Sequence, residues 1–312
     1  RDRKAFKIMA DWTAARAIEF LIKAQNPDGG WGYAAKKTSQ TEPSSLALVA
    51  LNAAGKTSAA GGGLAFLRSC RLESGGIGVG AMDKAGNWVS YAALLAFHAL
   101  GAVEDEKGLA DWILNYRDSA YRLSKEEAAE IAGRFRYDVT IPGWPWIANT
   151  VSWVEPTALL ATALLHAGID PNHRRIQLAV RLILDRAIKT GGWNYGVPFD
   201  RMDNAALPLP SAIALLALGT AGFDESEPAL WQAVEFLAAR PATELSTVAL
   251  GWTILALKNI KAAHEKISAL TAELRGRESG DGSFRGNILE TALACLALGD
   301  FRFTAKGRTR LQ

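Results

Sequence analysis

Apolar residues along this chain gather in six blocks: 42–55, 88–101, 155–168, 209–222, 245–257 and 289–298. The blocks align without a gap. Each body is rich in Ala and Leu and apolar nearly all round, which predicts a helix enclosed by protein. Between the blocks run 11–24, 64–71, 109–116, 174–188, 229–240 and 261–275, where an apolar stripe shares the helix with Arg, Lys and Glu. Six polar-faced and six apolar helices in strict alternation imply two concentric rings, the inner six parallel and the outer six antiparallel to them. The expected architecture is a single (α/α)6 toroid over residues 1–312, against the two domains that length alone suggests.

The repeat frame sharpens this reading. Its third column is hydroxylic in every block, Ser44, Ser90, Thr157, Ser211, Thr247 and Thr291, so these six should stand at equivalent inner-helix N-termini. Pro43, Pro156 and Pro210 suit a first helical turn, where no backbone N–H is needed. The uncharged stretch 205–223 approaches membrane-spanning length. Its punctuation by Pro208, Pro210, Gly219 and Gly222 makes it a buried helix instead. Glycine-bearing loops, such as Asp28-Gly-Gly-Trp31 and Gly191-Gly-Trp193, lead from outer to inner helices. Gly61-Gly-Gly63 reads as a flexible turn. The third repeat carries an insertion, 117–149, with a charged helical stretch over 124–136 and the aromatic run Pro142-Gly-Trp-Pro-Trp146. Ser124 and Glu127 have the spacing of a capping box that would start that helix. Long insertions of this kind map to one rim of a repeat protein and carry function.

Composition mainly excludes. Lys+Arg is 35 against Asp+Glu 32, a net charge of +3 without a basic block, which argues against nucleic acid as a partner. Hydrophobic residues at 49% and charged residues at 21% are ordinary for a globular chain. Cys70 and Cys295 make no disulfide framework and no CxxC spacing, and residues 1–7 open no apolar leader segment, so the expected compartment is the cytoplasm.

The run Arg16-Ala17-x2-Phe20-Leu21-x3-Gln25-x3-Gly29-x-Trp31 matches every defined position of the QW repeat of squalene–hopene and oxidosqualene cyclases, with degenerate copies at Gly191-Gly-Trp193 and Gly282-Ser-Phe284. The chain thus resembles the terpene-cyclase and prenyltransferase superfamily over nearly its whole length. The resemblance implies that Gln25 and Trp31 staple neighbouring helices together. It also implies a site, because class II cyclases carry an Asp-x-Asp-Asp-Thr/Ser motif whose middle aspartate is the protonating acid. That motif is absent here. Aligning the hydroxylic column puts Glu155 and Glu42 at the middle position.

Glu155 stands in Ser152-Trp-Val-Glu-Pro-Thr157, just after the aromatic insertion. Desolvation there would raise its pKa, as a general acid requires. The alternative for both glutamates is a plain helix-entry role, since the helix dipole favours a carboxylate, although Glu is not a preferred N-cap. Aromatic faces that would bind a substrate and steady a cation are Trp88, Trp144, Trp146, Trp153, Trp193, Tyr195 and Trp252. Asp200 and Asp203, on the loop into the fourth inner block, lie on the same rim and would support the acid, bind a cation or stay solvated. No cofactor and no metal are expected. The zinc triad of protein prenyltransferases cannot assemble from Cys295, His98, His166, His173 and His264, and no P-loop or dinucleotide fingerprint occurs. Two function classes follow: a class II cyclase acting on an isoprenoid-like chain in a central cavity, or a protein that binds a lipid or polyprenyl group without chemistry. In either case the expected partner is a hydrophobic isoprenoid or lipid-like molecule, with peripheral contact to a membrane as a further expectation.

Overall fold

The computed structural model describes residues 14–131, 137–196, 205–224 and 226–305. The outer helices are α1 (Ala15–Lys23), α3 (Ala60–Ser69), α5 (Val103–Asn115), α8 (Arg174–Asp185), α10 (Pro228–Ala239) and α12 (His264–Gly276). The inner ones are α2 (Thr41–Ala53), α4 (Ser90–Ala99), α7 (Val154–His166), α9 (Pro208–Ala221), α11 (Thr247–Ile260) and α13 (Ile288–Leu298). A short α6 (Lys125–Ile131) lies in the insertion, and among the described residues β-structure is limited to isolated bridges. Inner helices pack in the closed order α2, α4, α7, α9, α11, α13 and back to α2, so the fold is an α/α toroid. A helix with no polar face has only one stable place, inside a shell of other helices, and Leu46–Leu51 of α2 accordingly expose 2% or less.

The hydroxylic column turns out to be a clamp. Ser44 Oγ accepts the Trp31 backbone N–H (2.7 Å) and donates to the Trp31 carbonyl (3.1 Å). Thr157 does the same to Trp144 (2.8 and 3.2 Å) and Ser211 to Trp193 (2.8 and 3.1 Å). Thr291 accepts the N–H of Phe284 (2.9 Å). The other end of each tryptophan is tied as well. The indole N–H groups of Trp31, Trp144 and Trp193 donate to the carbonyls of Leu21, Ile113 and Ile183, near the C-terminal ends of α1, α5 and α8. Each ring therefore fixes an outer-helix end to an inner-helix start. Ser90 and Thr247 stand at the first residue of their helices, three positions earlier than the other four. In these two repeats no ring is held: Ser90 bonds only its own Asn87 carbonyl, and the Thr247 hydroxyl is buried without a partner.

Gln25 carries the staple onward, donating to Gly29 O (2.8 Å) and to Ala59 O (3.1 Å) at the entry of α3. Here the structure corrects one expectation: Gly61, Gly62 and Gly63 lie within α3, not in a flexible turn. Gly62 and Gly63 are small because neighbours press on them, whereas Gly61 has open space. A Cβ at Gly63 would lie 2.5 Å from Leu48, and one at Gly62 would lie 3.3 Å from Gly29 Cα. The cost of glycine in a helix is offset by this close approach. The capping box forms as the spacing predicts: Glu127 N–H donates to Ser124 Oγ (3.1 Å) and Ser124 N–H to Glu127 Oε2 (2.8 Å). The buried Asp118 anchors the insertion, accepting from the Ser152 hydroxyl and from Gly143 N–H.

Candidate active site at the N-terminal rim of the inner ring

Every outer-to-inner loop lies at the rim where the inner helices begin. Backbone bonds stitch these loops together: Ile288 N–H to Tyr33 O (2.8 Å), Thr41 N–H to Val79 O (2.8 Å), and Val154 N–H to Tyr195 O (3.1 Å). A bridge pairs Asn87 with Ile147. The rim is thus a fixed collar, with the two candidate acids set into it.

Glu42 and Glu155 are each the second residue of an inner helix, followed by proline, and both are buried. Glu42 is held on both oxygens: Tyr33 Oη donates to Oε2 (2.5 Å) and Tyr91 Oη to Oε1 (2.8 Å). Burial pushes its pKa up while the two phenol bonds pull it down, and the net direction is upward. Both phenols are raised in turn, first by burial and then by the Glu42 charge. Tyr91 continues into an aromatic run, stacked on Trp88 (6.0 Å), which meets Trp146 edge-on (4.7 Å).

Glu155 has no hydrogen bond or ion pair within the described residues. Burial alone raises its pKa, to about 7. The residue capping α7 is Trp153, which offers no side-chain cap bond, and Trp153 meets Tyr195 edge-on at 6.0 Å. Among the described residues Glu155 makes no bond to the free N–H groups of its helix start, while its place in the first turn still sets it in the favourable field of the helix dipole. A buried acid that keeps its proton near neutrality is the arrangement from which protons are transferred to weak bases.

The structure divides the expected aromatic set. Trp88, Trp146, Trp153 and Tyr195 are on the rim and part-exposed. Trp144 and Trp193, expected to line a substrate site, are corrections. Both are fully buried staples whose N–H groups are consumed by backbone carbonyls, and Arg175 covers the face of Trp144 at 4.2 Å. For Trp144 the signal was already in the sequence, since Gly143-Trp144 stands 13 residues before Thr157, as Gly30-Trp31 stands 13 before Ser44; Trp193 stands 18 before Ser211. Trp252 lies deep in α11 against Phe303, away from the rim (6.2 Å, near-parallel). Asp200 and Asp203 lie outside the described residues. Tyr33 and Tyr91 were missed. The clue available was their place two residues after Trp31 and one after Ser90, each adjoining the frame that sets Glu42.

Below the rim the ring is tight. Every described residue at 44–51, 90–97, 157–165, 211–221, 249–257 and 291–297 is buried, whereas a lumen wide enough for a long hydrocarbon would leave its lining accessible. Among the described residues, then, the expected central cavity does not extend below the rim as an open lumen. No helix is long and apolar enough to cross a membrane, and no group of three His, Cys, Asp or Glu is placed to hold a metal, both among the described residues.

No protein-family model matches the chain, and no curated protein matches it in sequence. Solved structures do. Type II terpene cyclase MstE from Scytonema, in complex with geranylgeranyl dihydroxybenzoate, is similar at 15% identity over 91% of this chain and 95% of its own, TM-score 0.64. An alpha-amylase from Clostridium perfringens is similar at 13% identity over 91% of this chain and 96% of its own, TM-score 0.65. An alpha-1,6-mannanase of Salegentibacter follows at 11% identity over 91% and 96%, TM-score 0.57. These likenesses establish the α/α toroid fold, and they leave the reaction to the site.

Proposed function

We propose that the protein is a class II, protonation-initiated cyclase of an isoprenoid-type chain, with Glu155 as the general acid. The observation that carries this reading is a buried carboxyl with no partner in the described structure, raised to about 7 by burial alone and flanked by aromatic rings. In the proposed step the Glu155 O–H bond breaks and a C–H bond forms at one end of an alkene. The resulting cation is closed by a neighbouring alkene, and loss of a proton returns an isomer of the substrate. Trp153, Tyr195, Trp88 and Trp146 would steady the cation through their faces. Glu42 is the secondary acid, since two phenols already occupy its oxygens. The amylase and mannanase likenesses raise sugar chemistry as a competitor. A sugar site needs polar donors around its carboxyl, and none in the described structure reaches Glu155.

Among the described residues, the same collar bears six of the nine exposed large apolar side chains: Tyr33, Val79, Met82, Ile147, Val151 and Tyr195. Lys36, Lys37, Lys84, Lys189 and Arg285 are exposed among them. We read this face as the one that meets a lipid surface. Flotation with anionic vesicles should be lost in Met82→Glu/Ile147→Glu and retained in Val103→Glu on the opposite rim.

The tight inner ring favours a second reading, in which the collar binds an apolar chain without chemistry. Incubation with C15, C20 and C30 isoprenoids decides between them. Cyclised product lost in Glu155→Gln supports the cyclase, while binding without product, equal in both proteins, supports the second reading.

A further inference from the structure

The opposite mouth of the ring is covered by the chain's own C-terminal segment. Segment 299–305 leaves α13, the sixth inner helix, and reaches the end of α7, the third. In a closed ring of six these helices stand opposite, so the segment crosses the mouth through its centre. It is fastened at both sides: Lys258 Nζ donates to the carbonyls of Ala297 (2.7 Å) and Gly299 (3.0 Å), and Thr304 N–H donates to His166 Nδ1 (3.1 Å). Two rings point inward. Phe303 is 3% exposed and lies near-parallel to Trp252, halfway along α11, while Phe301 meets Phe303 edge-on at 5.0 Å. His166 packs against both phenylalanines at 5.7 and 5.4 Å and against His98 at 5.2 Å.

One groove of about 420 Å³, open to solvent, lies beside the segment between Ile18, Ala50, Cys295 and Phe301, and another of about 350 Å³ lies beside Ala305, Asn259 and Gly219. A segment tied by a few polar bonds, with empty space alongside it, can leave without tearing the inner helices apart.

We propose that segment 299–305 is a removable plug. Its phenylalanines fill apolar space in the ring at the level of Trp252, and an apolar chain entering the ring displaces them. Displacement would restore the lumen that a long substrate requires and bring Trp252 against the ligand. The identity of the ligand rests on the isoprenoid reading above; the plug does not.

Cys295 lines the groove beside the segment and is 7% exposed, and Cys70, also buried, is an internal reference. The test is the labelling rate of Cys295 by dithiodipyridine on the full chain, localised by mass spectrometry. His166→Phe keeps a ring but removes the acceptor for Thr304. It should raise the rate about tenfold, the effect of losing one net hydrogen bond, with Cys70 unchanged. Phe303→Ala should raise it further. Adding geranylgeraniol to the wild-type protein should also speed Cys295 selectively. Unchanged Cys295 labelling in both variants, or in the wild-type protein with the alcohol, overturns the proposal. Should a variant fold poorly, hydrogen exchange at Thr304 in the wild-type protein replaces it: faster exchange on adding the alcohol supports the plug, and unchanged exchange overturns it. The two proposals fail separately: faster labelling without product refutes the cyclase and keeps the plug, whereas product with unchanged labelling does the reverse.

Discussion

Glu42 and Glu155 occupy the same register of the repeat, second in the helix and ahead of a proline, yet their surroundings are opposite. Around Glu42 the residue two past the stapling Trp31 is Tyr33, and the residue after the next repeat's hydroxyl is Tyr91, each donating to one carboxyl oxygen. The corresponding residues around Glu155 are Trp146 and Ala212, which carry no hydroxyl. One frame thus builds a satisfied carboxyl in the first repeat and a bare one in the third. A satisfied buried carboxyl stabilises structure, whereas a bare one is costly, which is why Glu155 and not Glu42 is the proposed acid.

Four experiments test that contrast, the largest expected effect first. Glu155→Gln should cut isoprenoid turnover by about 10²–10⁴-fold, the range for removing a general acid, while Glu42→Gln leaves most of it. Equal losses from both would dissolve the distinction.

Next come the staples that set both helix starts. Trp31→Ala and Trp144→Ala should each cost about 3–5 kcal/mol in urea denaturation, as large-to-small core changes. A loss at Trp31 alone would mean that the third-repeat acid rests on a different frame.

The third is a pH profile. Glu155 ionises near 4.5 when unfolded and at about 7 when folded, so between those values the folded state binds more protons. Its contribution to stability therefore falls as pH rises through that window, by about 3 kcal/mol in total. Glu155→Gln should remove this slope, and turnover should decline above pH 7 as the acid loses its proton.

The smallest effect belongs to Tyr91→Phe, which leaves one Glu42 oxygen without its donor. It should destabilise the chain by about 1–3 kcal/mol and leave the decline of turnover above pH 7 in place. A shift of that decline would show the two acids to be coupled.

Much of this was legible in the residues. The all-apolar blocks dictated inner helices, and 208–221 formed as its proline and glycine punctuation indicated. The capping box at Ser124 is a local rule and held locally. Trp144 misled because a Gly-Trp pair beside an aromatic insertion reads as a binding face, and only its 13-residue spacing to Thr157 marks it as a staple. The Gly61–Gly63 run misled because helix propensity says nothing about how closely another backbone approaches.

By itself the sequence determined the toroid, its six inner helices and the placement of two acids in one column, because apolar periodicity and hydroxyl spacing are properties of consecutive residues. Tertiary structure alone decided which acid is partnered, which tryptophans are buried, and that the far mouth is closed by Phe301 and Phe303. Those outcomes depend on groups such as Glu42 and Tyr91, 49 positions apart, or His166 and Thr304, 138 apart. Burial and hydrogen bonding over such distances are set by how the ring closes, and no window along the chain contains that information.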